Sequence, residues 1–184
     1  TLTNPTPLAG DQFGFSLAAV GADRLLIGAN LDDSGAANAG AAYIFTTAGT
    51  RLLTLTNPAP AADDNFGHAV SAAGVNRLLV GTPQDDTGAL NAGSAYLFDE
   101  TGTLLSSITN PSPSTADQFG RSLAAFPTGP LVIGSPNDNP GAGQFGAVYL
   151  YSLGGSLLTS ITNPNPASLD LFGTALATVG ADKL

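Results

Sequence analysis

The chain restates itself every 53 residues, and no other feature so narrows what it can fold into. TLTNPTPLAGDQFGFSLAAVGADRLLIGAN starts at Thr1 and TLTNPAPAADDNFGHAVSAAGVNRLLVGTP at Thr54. SITNPSPSTADQFGRSLAAFPTGPLVIGSP follows at Ser107, and SITNPNPASLDLFGTALATVGADKL at Ser160. The register never slips. A period of this length encodes one supersecondary unit per repeat, each unable to bury its apolar face without a neighbour. The repeats are 1–53, 54–106, 107–159 and an incomplete 160–184, read together as one partial domain over 1–184.

The second repeat shows the unit most clearly. Phe66 to Ala72 is a short apolar run, a tight turn follows near Gly74 to Asn76, and Arg77 to Gly81 is a second run. The polar segment TPQDDTGALNAG leads to SAYLFD, and a turn at Thr101 and Gly102 leads to LLSSIT. β-Branched and aromatic residues fill the runs, while Gly, Asn, Asp and Pro fill the gaps. No stretch carries the 3.6-residue period of an amphipathic helix. The expected fold is all-β, with β-propeller blades of four antiparallel strands and about 3.5 blades in this chain. A parallel β-solenoid is the competing architecture, although its coils are usually shorter and lack four hairpin-type turns.

Certain residues recur in step and carry a family resemblance. Phe13-Gly14, Phe66-Gly67, Phe119-Gly120 and Phe172-Gly173 open the first strand of each unit. Gly28-Ala29-Asn30, Gly81-Thr82-Pro83 and Gly134-Ser135-Pro136 close the second, and AAYIF, SAYLF and AVYLY form the third. The chain resembles the FG-GAP repeat family, of the bacterial type, best known from the propeller of integrin alpha subunits. The resemblance implies extracellular or cell-surface adhesion and ligand binding without catalysis. The physics agrees with the motif: a Phe can wedge between blades, and the adjoining Gly lets backbone approach closely near the axis. Calcium-binding blades of that family carry alternating Asp or Asn residues between the first and second strands. Here that connection is only VGADR, AGVNR, FPTGP or VGADK, too few oxygens for the six to eight calcium wants. The family's usual calcium site is therefore expected to be missing.

Composition bounds the function. The net charge of -9, with only 5 Lys and Arg, argues against nucleic acid and anionic membrane as partners. No Cys is present, so there is neither a disulfide framework nor a thiolate metal site. No apolar run approaches the roughly 18 residues of a membrane span. The chain opens on a fourth-strand segment, TLTN, and stops inside a second strand at Leu184, so it reads as a window from a longer protein. Open blade faces at its two ends would be covered by further repeats or by self-association.

Propeller topology assigns the charges to faces. Connections from fourth to first strand and from second to third share one face, which receives Asp11, Asp32, Asp33, Asp63, Asp64, Asp85, Asp86, Asp117, Asp138 and Asp170, with Arg121 nearby. The opposite face receives Asp23, Asp99, Glu100 and Asp182 against Arg24, Arg51, Arg77 and Lys183. Aspartates in tight loops commonly accept backbone N–H bonds. Adjacent like charges need compensation, however, which makes Asp32-Asp33, Asp85-Asp86 and Asp138 candidate ligands of a hard cation, calcium being the candidate ion. In the third repeat the pair becomes Asn137-Asp138-Asn139-Pro140, of lower charge.

Two further features bear on function. The residue after each Phe-Gly is Phe15, His68, Arg121 or Thr174, and a position that escapes the repeat is a candidate for ligand specificity. TNPxP, at Thr3 to Pro7 and its equivalents, reads as structural, its prolines ending the outer strand. One His, no Cys, no GxSxG and no phosphate loop leave catalysis unsupported. The expected function is a non-catalytic structural or adhesive module whose acidic face binds a protein partner or cations. A carbohydrate-binding propeller and a self-assembling fragment are the alternatives; the absence of Trp weighs against the former.

Overall fold

The computed structural model describes residues 1–139, 145–180 and 183–184. Among them twelve strands form three four-stranded antiparallel sheets, each with its strands side by side in chain order. The first sheet holds β1 (Phe13–Val20), β2 (Arg24–Ala29), β3 (Ala41–Thr46) and β4 (Arg51–Thr56). The second holds β5 (Ala69–Ala72), β6 (Arg77–Thr82), β7 (Ser94–Asp99) and β8 (Leu104–Thr109). The third holds β9 (Ser122–Ala125), β10 (Leu131–Ser135), β11 (Ala147–Tyr151) and β12 (Leu157–Thr162). No helix among the described residues is long and apolar enough to cross a membrane.

Pattern and position correspond closely. The two middle strands of each sheet are covered on both faces, so their sequences are nearly unbroken apolar runs such as Leu25, Leu26 and Ile27. The outermost strands are far more exposed: in β4 and β8 only Leu55 and Ile108 are buried, and every residue of β12 is exposed. Alternate residues of a middle strand serve opposite neighbours. Leu26 and Ile44 of the first sheet meet Leu78, Val80, Tyr96 and Phe98 of the second. Leu79 and Leu97, one residue out of phase, face Phe119, Leu131, Ile133 and Tyr149 of the third.

Phe66 and Phe119 are fully buried in these two inter-sheet clusters. Each stacks on two rings of its own sheet, Phe66 on Tyr96 and Phe98 at 6.0 and 6.1 Å. They precede the first strand rather than opening it: the expected run from Phe66 begins only at Ala69, and its counterpart at Ser122. The reason lies in the backbone donors. Phe66 N–H donates to the Ala39 carbonyl, in the loop that leads into β3 of the preceding sheet, and Gly67 N–H to Gly81 of its own sheet, so the pair pins one repeat to the next instead of extending a ladder. Only Phe13 is counted within its strand, and there the register breaks between Phe13 and Ser16.

Both ends depart from expectation. Thr1–Asn4 forms no strand, because no third strand lies beside it to pair with. Instead, Leu2 packs against the cluster of Ile27, Tyr43 and Phe45. In the fourth repeat the first two strands are not formed among the described residues, apart from a single bridge between Val179 and Lys183. Phe172 and Leu176 nevertheless pack on the third sheet as their equivalents do. Pro140 and Asp182 lie outside the described residues.

Candidate functional site

The TNPxP segment, the loop after it and the loop between second and third strands meet at every inter-sheet junction. Asn57 Oδ1 accepts the Ala59 N–H at 3.0 Å, closing the turn that the prolines stiffen. Its Nδ2 donates to Asp64 at 2.7 Å, and the same Asp64 oxygen accepts the Ala61 N–H at 2.7 Å. Opposite stands Asp85, which accepts the Tyr96 hydroxyl at 2.8 Å and the Thr87 N–H at 2.8 Å. The next junction repeats this with Asn110, Asp117, Asp138 and Tyr149; there one Asn110 amide donates to both carboxylates, at 2.9 and 3.1 Å. In the first repeat, where no sheet precedes, the same groups recur: Tyr43 donates to Asp32 at 2.6 Å and Asn4 to Asp11 at 2.6 Å.

These contacts divide the ten aspartates of the acidic face. Asp11, Asp32, Asp64, Asp85, Asp117 and Asp138 are buried, and Asp33, Asp63, Asp86 and Asp170 are exposed. Burial, then the neighbouring Asp85, pushes the Asp64 carboxyl up to about 6, against hydrogen bonds that pull it down. Asp117 is likewise pushed up to about 6 by burial and by Asp138. Burial and the hydrogen bond to Asp32 push Tyr43 up to about 12. Each tyrosine therefore stays a donor, which is what a buried carboxylate needs.

The adjacent aspartates turn to different partners. Asp32 faces inward to Tyr43 and Ser34, whereas Asp33 accepts the Asn38 N–H at 2.9 Å on the surface. Asp85 and Asp86 repeat the division, Asp86 accepting the Asn91 N–H at 2.8 Å. Among the described residues no group of three or more Asp, Glu or His side chains is disposed to hold a metal ion. The connections between first and second strands span three to five residues, Gly21–Asp23 being the shortest.

Between the loops of the first and second sheets lies an open cleft of about 520 Å³, lined by Leu31, Ala62, Asp63, Asn65, Gln84, Asp86, Leu90 and Asn91. Its floor is a chain of amides: Asn30 donates to Asn65 at 3.1 Å, and Asn65 to Gln84 at 2.9 Å. Asp63, Asn65 and Asn91 hold positive φ angles of 67°, 64° and 52°, conformations that Asp and Asn tolerate better than most residues. Apart from Asp86, none of these residues was singled out as a site from sequence. The signal lay in the turn composition of AADDNFG and of DDTGALNAG.

Two of the positions that escape the repeat meet directly. The Phe15 and His68 rings, 53 residues apart in sequence, lie 4.8 Å apart with planes tilted by 50°. Burial first, and Arg121 second, push the His68 imidazole down to about 4, so it is neutral at physiological pH. Arg121 donates to Gln118 Oε1 at 3.0 Å. Thr174 is exposed, its hydroxyl turned back onto the Leu171 carbonyl at 2.6 Å.

No curated protein matches the chain. The FG-GAP repeat model does match, three times in succession, at residues 1–45, 52–98 and 103–151. Each match takes in one Phe-Gly pair and the first three strands of one sheet, and together the matches span most of the chain, which on this ground belongs to the FG-GAP repeat family.

Proposed function

We propose that the chain is a non-catalytic β-propeller module of an exported or cell-surface protein, and that it holds a basic segment of a protein partner on its acidic loop face. The observation that carries this reading is the cleft between the first two sheets. Two exposed carboxylates, Asp63 and Asp86, flank it and two leucines, Leu31 and Leu90, line it. A lysine or arginine side chain satisfies both demands, its cationic head meeting the carboxylates and its aliphatic stem lying on the leucines. Family membership supports the adhesive role, and the net charge of -9 supports attraction of a cationic partner.

The test is binding of a fluorescent lysine-rich peptide by the Asp63→Asn, Asp86→Asn double variant and the wild type. Asn accepts the positive φ of Asp63, so the loop keeps its shape. Binding that weakens about tenfold in the variant and falls steeply with added salt supports the reading. Equal affinity for an acidic peptide, or an unaffected variant, overturns it.

A further inference from the structure

The second place where the molecule breaks its own repetition has the opposite chemistry. β1, β5 and β9 are the first strands of the three sheets, β5 lying against both of the others, and the residues that follow their Phe-Gly pairs form one series: Phe15 and His68 lie ring against ring, and Arg121 is near enough for its charge to act on the imidazole. Phe15 is 49% exposed, a large area for a phenylalanine in a molecule whose Phe66 and Phe119 are fully buried. His68 lies against its ring. Among the described residues Arg121 makes one side-chain hydrogen bond, to the neutral amide of Gln118, and no carboxylate lies within 4.0 Å of it. With His68 neutral, the guanidinium is the one charge in the row at neutral pH.

We infer that this row binds an acidic side chain of a protein partner, with the carboxylate on Arg121 and an adjoining apolar or aromatic group on Phe15 and His68. Arginine presents a planar fork of donors that matches a carboxylate, and Phe15 offers an exposed apolar surface beside it. The row lies on exposed and half-buried positions, so a small free acid would keep most of its surface in water, whereas a side chain carried by a larger partner gains from contacts around it. The exposed aspartates of the same face, Asp33, Asp63 and Asp86, repel any anion in proportion to its charge, which limits the ligand to a single carboxylate. The inference is independent of the lysine cleft, whose charge is of opposite sign.

The experiment is an NMR titration with three peptides, acetylated and amidated to remove terminal charges: Phe-Glu-Phe, Phe-Gln-Phe and Phe-Lys-Phe. The His68 imidazole and the Arg121 Nε–H report. The expected result is saturable binding of Phe-Glu-Phe with a dissociation constant on the order of 1 mM, and binding of Phe-Gln-Phe at least about tenfold weaker. Arg121→Gln removes the preference for Glu over Gln, Arg121→Lys keeps part of it, and Phe15→Ser weakens both peptides. The Asp63→Asn, Asp86→Asn variant binds Phe-Glu-Phe at least as well as the wild type, which separates this site from the cleft. Equal affinity for Glu and Gln peptides, or an Arg121→Gln variant that still prefers Glu, overturns the inference. Shifts confined to residues away from the row do the same.

Discussion

A methyl group placed on Gly28 would stand 2.0 Å from the carbonyl oxygen of Gly67, which belongs to the next repeat. The same carbonyl accepts the Ser16 hydroxyl at 2.7 Å. Gly81 meets Gly120 in the same way, again at 2.0 Å, and Gly134 meets Gly173 at 2.2 Å. From the second repeat onward, the glycine after the phenylalanine and the glycine near the end of the preceding repeat's second strand are thus two halves of one contact. Here neighbouring sheets converge until backbone touches backbone.

Gly28→Ala or Gly81→Ala is therefore expected to cost about 3 kcal/mol or more, since the obstructing atoms are backbone and cannot rotate away. Gly154, whose added Cβ would meet nothing nearer than 3.7 Å, serves as the control, with a change under about 0.5 kcal/mol on Ala substitution. Urea denaturation measures both. A Gly28→Ala protein as stable as the control would refute the contact.

Phe66→Ala should cost about 3–5 kcal/mol, because the ring is fully buried between two sheets. Phe13→Ala should cost roughly half that, its ring being only partly buried on the first sheet. The comparison isolates the wedge from its sequence motif, which the two share. Similar losses in the two variants would mean that burial between sheets contributes little.

Acid should stabilise the protein. Asp64 and Asp117 titrate near 6 in the folded chain and near the ordinary 3.8 when unfolded, so the folded state holds the extra protons. Their contribution is complete below the unfolded value and is lost as pH rises through about 6. The melting temperature should be higher at pH 5 than at pH 7.5, by about 5 °C for the two groups together. Substituting both by Asn should flatten the profile between those values. A wild-type melting temperature that falls on acidification from pH 7.5 to pH 5 contradicts the argument.

Tyr149→Phe removes the hydroxyl that donates to buried Asp138 at 2.6 Å and should cost about 1–3 kcal/mol. Tyr151→Phe, whose hydroxyl meets only the Thr109 carbonyl at 3.0 Å, should cost about 1 kcal/mol or less. Equilibrium unfolding of the two variants side by side decides the matter, and a reversed order would show that the carboxylate is satisfied by another group.

Much of the sheet architecture was legible residue by residue. The run SAYLFD is β7 and LLSSIT is β8, to the residue, because an apolar run bounded by turn formers has few other places to go. The first strand of the first repeat does open at Phe13, but those of the second and third begin later than the pattern suggests, since Phe66-Gly67 looks like the start of a run while its N–H groups are committed to two different repeats. The site was legible only in part. Asp85 and Asp86 read alike as neighbouring charges, yet one is 3% exposed under Tyr96 and the other lies on the surface. Nothing in the order of two adjacent aspartates says which will turn inward.

The sequence by itself determined the repeating four-stranded unit, its turns and the positions that break the repeat, because these follow from local patterns of side chains and from a period that can be counted. Only the tertiary structure decided which charges meet. Asp64, Asp85 and Tyr96 come from two loops and a strand to share one buried network, and Phe15 reaches His68 across a full repeat. Those distances depend on how one sheet lies on the next, and burial depends on what covers a residue rather than on what precedes it in the chain.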